Sequence, residues 1–200
     1  MLDTTCHMSI SLDGFVAGPE QSLENGLGIG GIELHRWHIG DPRANNDDAI
    51  AADWLMRPRG AYVMGRNMYG PIRGEWNEPW EGWWGSEPPY HAAVFVLTHY
   101  ARDPLELTGT TFRFVTDGIH SAVEQAREIA GGADVAIAGG AETLNQALWA
   151  GIVDELRLHI APVTLGAGER VFDRVPSLEL ELLRERVTPE VAHLTYRVRR

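Results

Sequence analysis

Residues 134–151, DVAIAGGAETLNQALWAG, constrain this chain more than any other stretch. Val135, Ala136, Ile137 and Ala138 form a short apolar run, the pattern of a strand covered on both faces. Residues 142–150 then read as a helix, with Leu144, Ala147 and Leu148 on one side and Gly151 as its cap. The two glycines between strand and helix permit φ > 0 or a close backbone approach. They also leave bare N–H groups at a helix N-terminus, where phosphate binds well. A tight β–α turn that needs small residues is the other reading of the same letters.

The rest of the chain repeats the alternation. Strands are expected at 8–12, at 15–17 after an Asp13-Gly14 turn, and at 61–64, 92–97, 111–115 and 134–138. Helices are expected at 47–56, with Ile50, Trp54 and Leu55 toward the core, and at 121–130, where Ser121 and Glu124 suit a capping box. Residues 32–39 read as a short helical or irregular segment carrying Leu34 and Trp37. The chain closes in strands alone: 154–162, then an antiparallel pair at 178–186 and 192–198. This order argues for one α/β domain over residues 1–200, three layers deep, with a mostly parallel sheet and antiparallel C-terminal edge strands. Residues 69–90 break the pattern. They hold Trp76, Trp80, Trp83 and Trp84 without periodicity, and so many aromatics fit an ordered excursion. It would line a pocket, fill an interface or simply pack on the body.

Charge and cysteine usage narrow the function. With 17 basic and 28 acidic residues the formal net charge is −11, which disfavours nucleic acid and anionic membranes. It leaves room for an anionic cofactor held by local arginines and N–H groups. Cys6 is alone, so no internal disulfide framework exists, and it reads as a small buried hydrophobe. The start shows neither a secretory signal nor a membrane-length apolar run, so a cytoplasmic protein is expected. No HExxH, P-loop, GxSxG or CxxC motif is present. His35 and His38 stand three apart without a third ligand at metal spacing, so no metal is expected. Residues 26–31, GLGIGG, match G-x-G-x-x-G by letter only, lacking the strand before and the helix after. They read as a cover over a pocket.

Three expected strands end in chemistry: Gly65-Arg66, Thr98-His99 and Gly139-Gly140. In an α/β sheet those ends share one rim, where ligands bind. There a guanidinium can grip a phosphate in bidentate fashion. A solvent-facing arginine with an ordinary ion pair is the alternative for Arg66.

These residues carry a resemblance. MSISLDGFVA (8–17), VMGR (63–66) with Tyr69, VLT (96–98), AGGA (138–141) with Leu144, and DELRLHIAPVTLGAGERVF (154–172) resemble, in order and spacing, the dihydrofolate-reductase-like superfamily. Within it the chain is similar to the bacterial RibD C-terminal, deaminase-reductase branch of riboflavin biosynthesis. The likeness implies an NADPH-dependent reductase of a small heterocyclic substrate. It implies that Arg66 meets the 2′-phosphate, with Thr98 and His99 beside it. Gly139 and Gly140, continued into Ala141, Glu142 and Thr143, would hold the pyrophosphate. The Asp13-Gly14 turn would border the nicotinamide and the substrate, with Trp37 and Trp54 beside the substrate, and the branch implies a homodimer. Asp13 is the candidate catalytic residue, and an Asx turn capping Gly14 is the other reading of it. There are departures. Met68 stands where a phosphate-contacting threonine is usual. Of the carboxylates that could pair with a pterin in 33–41 or at 47–48, Glu33, Asp47 and Asp48 sit in no clear motif. A non-catalytic or flavin-binding protein on the same scaffold is therefore the second reading.

Overall fold

A computed structural model of the protein describes residues 3–39 and 46–199, so Asp41 falls outside it. Its first strand, β1 (Thr4–Ser11), lies inside a nine-stranded sheet. After the Asp13-Gly14 turn come β2 (Phe15–Ala17), a 3-10 turn (Gly31–His35), α1 (Arg36–Ile39) and α2 (Asn46–Leu55). Then follow β3 (Ala61–Gly65), α3 (Arg66–Tyr69), β4 (Ala93–Leu97), β5 (Leu105–Leu107) and β6 (Thr110–Val115). The last part holds α4 (Gly118–Ala130), β7 (Val135–Gly139), α5 (Ala141–Trp149) and β8 (Glu155–Ala161). It ends with β9 (Glu169–Arg170), β10 (Glu179–Val187) and β11 (Ala192–Arg199). The sheet order is β10-β11-β8-β1-β7-β3-β4-β6-β5, and β2 pairs with β9 separately. Strands β8, β1, β7, β3, β4 and β6 run parallel. Strands β10, β11 and β5 supply the antiparallel edges. This is the α/β architecture expected.

The two sheet faces differ in chemistry, and period-two alternation separates them. On one face Cys6, Met8, Ile10, Val63, Phe95, Val135, Ile137, Leu156 and Leu158 join Val123, Leu144 and Leu148 of α4 and α5 in the main core. The other face is split. Over β3, β4 and β6, residues Met64, Val94, Val96 and Phe112 pack with Tyr69, Trp76, Trp80 and Tyr90. Over β1, β8 and β11 the same face carries His7, Ser9, Arg157, His159 and His193, brought level by the register.

Three local expectations are corrected. Ile50 is exposed, and the buried residue of α2 is Asp48, which bonds His193 at 2.9 Å. The helix meets a polar sheet face, so its inward side is polar. Helix α4 starts at Gly118, which puts Ser121 inside it as acceptor for Gln125 rather than as a cap. Strand β5, unforeseen, forms a hairpin with β6.

The aromatic excursion is ordered without regular structure. Trp80 Nε1 donates to the Tyr69 carbonyl at 2.9 Å, and Tyr69 Oη donates to the Trp80 carbonyl at 2.8 Å. This reciprocal lock needs Gly70, because a Cβ there would stand 2.2 Å from Trp80 Nε1. Gly70→Ala is expected to cost about 1–3 kcal/mol, the usual penalty of overpacking, read as a lowered urea midpoint at unchanged m-value.

Candidate functional site

Parallel pairing sets Gly65 level with Leu97, and Met64 level with Gly139. Strands β7, β3 and β4 therefore finish at one rim, and the residue after each is Gly140, Arg66 or Thr98. Arg66 Nη1 donates to Thr98 Oγ1 at 3.2 Å, and Thr98 is nearly buried. The Arg66 guanidinium carbon lies 3.2 Å from the Trp76 ring centre. Its Nη2 is shut off from solvent and has no hydrogen-bond partner. Desolvation, then the charges of Arg73 and Arg102, lower the Arg66 pKa. His99 follows, exposed.

Gly140 caps α5 without any side-chain cap bond. The first intrahelical bond runs from Leu144 N to the Gly140 carbonyl at 3.1 Å. The amides of Ala141, Glu142 and Thr143 are thus the first-turn donors of α5, facing the partial positive end of the helix. A Cβ on Gly140 would have nothing within 4 Å, so the space beside this cap is open. The side chains contribute differently. Ala141 and Thr143 are buried, and Thr143 Oγ1 lies so near β3 that a Cβ on Gly65 would come within 2.5 Å of it. That contact explains why β3 ends in glycine. The Glu142 carboxylate is exposed, accepts from Gln146 at 3.1 Å and pairs with Arg174 at 3.4 Å.

Asp13, the candidate catalytic residue, stands in the turn after β1. Its carboxylate accepts from the Ser11 hydroxyl at 2.6 Å, Gly166 N at 2.7 Å and Leu165 N at 3.0 Å. The Ser11 hydroxyl above all, with the two amides, holds its pKa down to about 2. The task of Asp13 is to tie the turn after β1 to residues 165–166. Trp37 and Trp54, expected beside the substrate, pack against polar and charged neighbours. Trp37 is 3% exposed and donates to Ser9 Oγ at 3.1 Å. Trp54 stacks on His7 at 3.9 Å, with the guanidiniums of Arg59 and Arg157 over its ring. The three residues are spread along one face of β1 rather than gathered around one opening. A cavity of about 340 Å³ lies elsewhere, lined by Ile119, Glu142, Asn145, Trp149 and Arg174.

Sequence reasoning missed two groups. One is Arg73, Trp76 and Arg102 around Arg66. The other is a buried hydrogen-bonded row on the polar face: His7 Nδ1 to His159 Nε2 at 3.1 Å, His159 Nδ1 to His193 Nδ1 at 2.7 Å, and His193 Nε2 to Asp48. His35 and His38 form a second pair at 3.0 Å. Each ring-to-ring bond needs one N–H and one bare nitrogen, as neutral imidazoles supply. Burial first, then neighbouring positive groups, lower the pKa values of His7 and His159 well below the ordinary value, and that of His35 to about 4. Among the described residues no His, Cys, Asp and Glu cluster could hold a metal ion. Nor is any described helix long and apolar enough to cross a membrane.

The fold has relatives. Residues 4–194 match the family model of the RibD C-terminal domain. The chain belongs to that family. Among solved structures it is similar to a putative riboflavin biosynthesis protein from Shewanella sp. PV-4, at 21% identity and a TM-score of 0.70, covering 100% of both chains. It is also similar to the riboflavin biosynthesis reductase of Saccharomyces cerevisiae, at 12% identity and a TM-score of 0.60, covering 99% of this chain and 90% of that one. A third likeness is to dihydrofolate reductase from Enterococcus faecalis complexed with NADP(H), at 16% identity and a TM-score of 0.57, over 98% and 96% of the two chains. Identities this low show the shared fold. No curated protein matches the chain.

The neutral histidines make stability depend on pH. Their folded pKa values lie below the unfolded value of 6.5, so the unfolded chain binds more protons in that window. Stability is then complete above the unfolded pKa and falls as the pH drops through it toward about 4, by up to about 1.4 kcal/mol per pH unit for each histidine. Urea midpoints measured between about pH 7.5 and pH 5 should decline accordingly, and less steeply in His159→Gln.

Proposed function

We propose that this chain is an NADPH-dependent reductase of a small conjugated heterocycle, of the kind exemplified by 5-amino-6-(5-phosphoribosylamino)uracil. The observation that carries the reading is the Arg66 guanidinium at the rim, bonded to Thr98 through Nη1 and left with a shielded, unpartnered Nη2. A buried donor without an acceptor is costly, and a cofactor phosphate would supply one. The other parts fit the same ligand. The amides of Ala141, Glu142 and Thr143, behind Gly139 and Gly140, suit a pyrophosphate. Arg66 and Thr98, with His99 beside them, suit the 2′-phosphate. The Asp13 turn, tied to Leu165 and Gly166, gives a rigid border for the nicotinamide and its substrate.

When bound, NADPH supplies the hydride. The chain's part is to place the two rings and exclude water. Asp13, held by its hydrogen bonds, orients the turn. In this reading the protein works as a cytoplasmic homodimer on a soluble metabolite. A second reading, a non-catalytic protein on the same scaffold, is favoured by one observation: Trp37, Trp54 and the histidines fill the polar face over β1.

Titration with NADPH, followed by nicotinamide fluorescence, tests the proposal. Binding in the micromolar range is expected, and none at hundreds of micromolar would reject it. Arg66→Ala should weaken NADPH about ten- to a hundred-fold, since a charged hydrogen bond contributes about 1.5–3 kcal/mol. NADH, which lacks the 2′-phosphate, should bind the variant as it binds the parent. Equal losses for both would assign Arg66 to the fold or the pyrophosphate. Oxidation of NADPH with turnover on a pteridine or flavin precursor would reject the second reading.

A further inference from the structure

We infer that the aromatic excursion completes the phosphate site: Arg102 and Arg73 join Arg66 around a phosphomonoester dianion, and Trp76 holds the arginines in place. The inference rests on the NADPH reading and names residues that the family likeness does not supply. Trp76 is fixed at its edge, where Nε1 donates to the Tyr100 carbonyl at 2.8 Å, two residues beyond Thr98. Its ring has the Arg66 guanidinium against it and the Arg102 guanidinium 5.0 Å from its centre. One indole thereby organises two cations at the end of β4.

At this spot the guanidiniums face neutral acceptors, as those of Arg59 and Arg127 also do. In a chain of formal net charge −11, Arg57, Arg157 and Arg174 each pair with a carboxylate, and Arg186 pairs with Asp47. Among the described residues, Arg66, Arg73 and Arg102 share no such pair. Their protein acceptors are neutral. Arg102 Nη1 donates to the Trp80 carbonyl at 2.9 Å and to Tyr69 Oη at 3.2 Å. Arg73 Nη1 donates to the Gly70 carbonyl at 2.9 Å. Each of these bonds engages Nη1, which leaves the other donors of both guanidiniums for a ligand. An anion held among Arg66, Arg73 and Arg102 would offset their mutual repulsion. A phosphomonoester carries about −1.5 to −2 charges near neutrality and three acceptor oxygens. It matches this group better than a carboxylate or a pyrophosphate link does. The Tyr69–Trp80 lock also gains a purpose, since the Trp80 carbonyl that accepts from Tyr69 accepts from Arg102 too.

The test compares NADPH, NADH, adenosine 2′,5′-bisphosphate, adenosine 5′-monophosphate and inorganic phosphate as ligands by calorimetry at fixed salt. The parent should bind the bisphosphate well, and inorganic phosphate and adenosine 5′-monophosphate much more weakly. Arg102→Met should weaken NADPH and the bisphosphate by about tenfold, and Arg102→Lys by less, with NADH unchanged. Arg73→Gln alters an exposed side chain and should shift the same two ligands in the same direction by about three- to tenfold. It carries the test if Arg102→Met does not fold. Parent-like NADPH affinity in the folded Arg102→Met and Arg73→Gln proteins would overturn the inference and leave the NADPH reading standing. So would equal losses of NADPH and NADH. Inorganic phosphate binding as tightly as the bisphosphate would reduce the site to a general anion site and overturn the nucleotide assignment. A parent protein that binds neither NADPH nor the bisphosphate would end both readings.

Discussion

The parallel pairing of β3 with β7 on one side and β4 on the other governs everything at the rim. Because Met64 pairs with Gly139 and Gly65 with Leu97, three residues far apart in the chain leave the sheet at the same height. Parallel strands need crossovers, and here the crossovers also supply the site. The one after β7 enters α5 with its first amides free. The one after β3 enters α3 with Arg66 at its start. A slip of one residue would turn Arg66 toward the core of α4 and α5, where Thr143 already fills the space against β3. The apolar alternation of β3 and β7 therefore protects the functional register as well as the core.

Charge placement follows from that geometry. Arginine at the end of a buried strand is partly desolvated, and the protein keeps it there by a hydroxyl, Thr98, and a π face, Trp76. Cation–π contact stabilises a guanidinium without neutralising it. The result is a positive spot on an acidic molecule. The polar half of the sheet solves the opposite problem. Burial and neighbouring positive groups hold the pKa values of His7 and His159 down, and Asp48 closes the row through its bond to His193. One face of one sheet thus separates a region that wants an anion from a region that excludes protons.

Much of this was legible in the residues, for identifiable reasons. The strand at Val135–Gly139 and the helix after it could be read because an apolar run, two glycines and a helical stripe coincide. Arg66 and Thr98 could be assigned to one rim because each follows a short apolar run. The partners Trp76 and Arg102 could not, because their segments have no period. Their contacts are set by ring packing across the excursion. The histidine row was hidden for a different reason. His7, His159 and His193 each look like single polar residues on alternating strands, and only the pairing of β1, β8 and β11 makes them neighbours. Two errors came from letters that match a rule without its context. Ser121 and Glu124 spell a capping box inside a helix that begins at Gly118. Ile50 follows a helical stripe on a helix whose inward side is polar.

The central claim is that the rim holds a phosphomonoester dianion in an uncompensated cluster of guanidiniums. Phosphorus NMR of bound NADP⁺ across a pH series reads this directly. Free in solution, a phosphomonoester titrates near about pH 6. Held by Arg66 and its neighbours, the 2′-phosphate resonance should stay at the dianion position well below that pH, while the protein remains folded. A bound 2′-phosphate that titrates as it does in free solution would contradict the account.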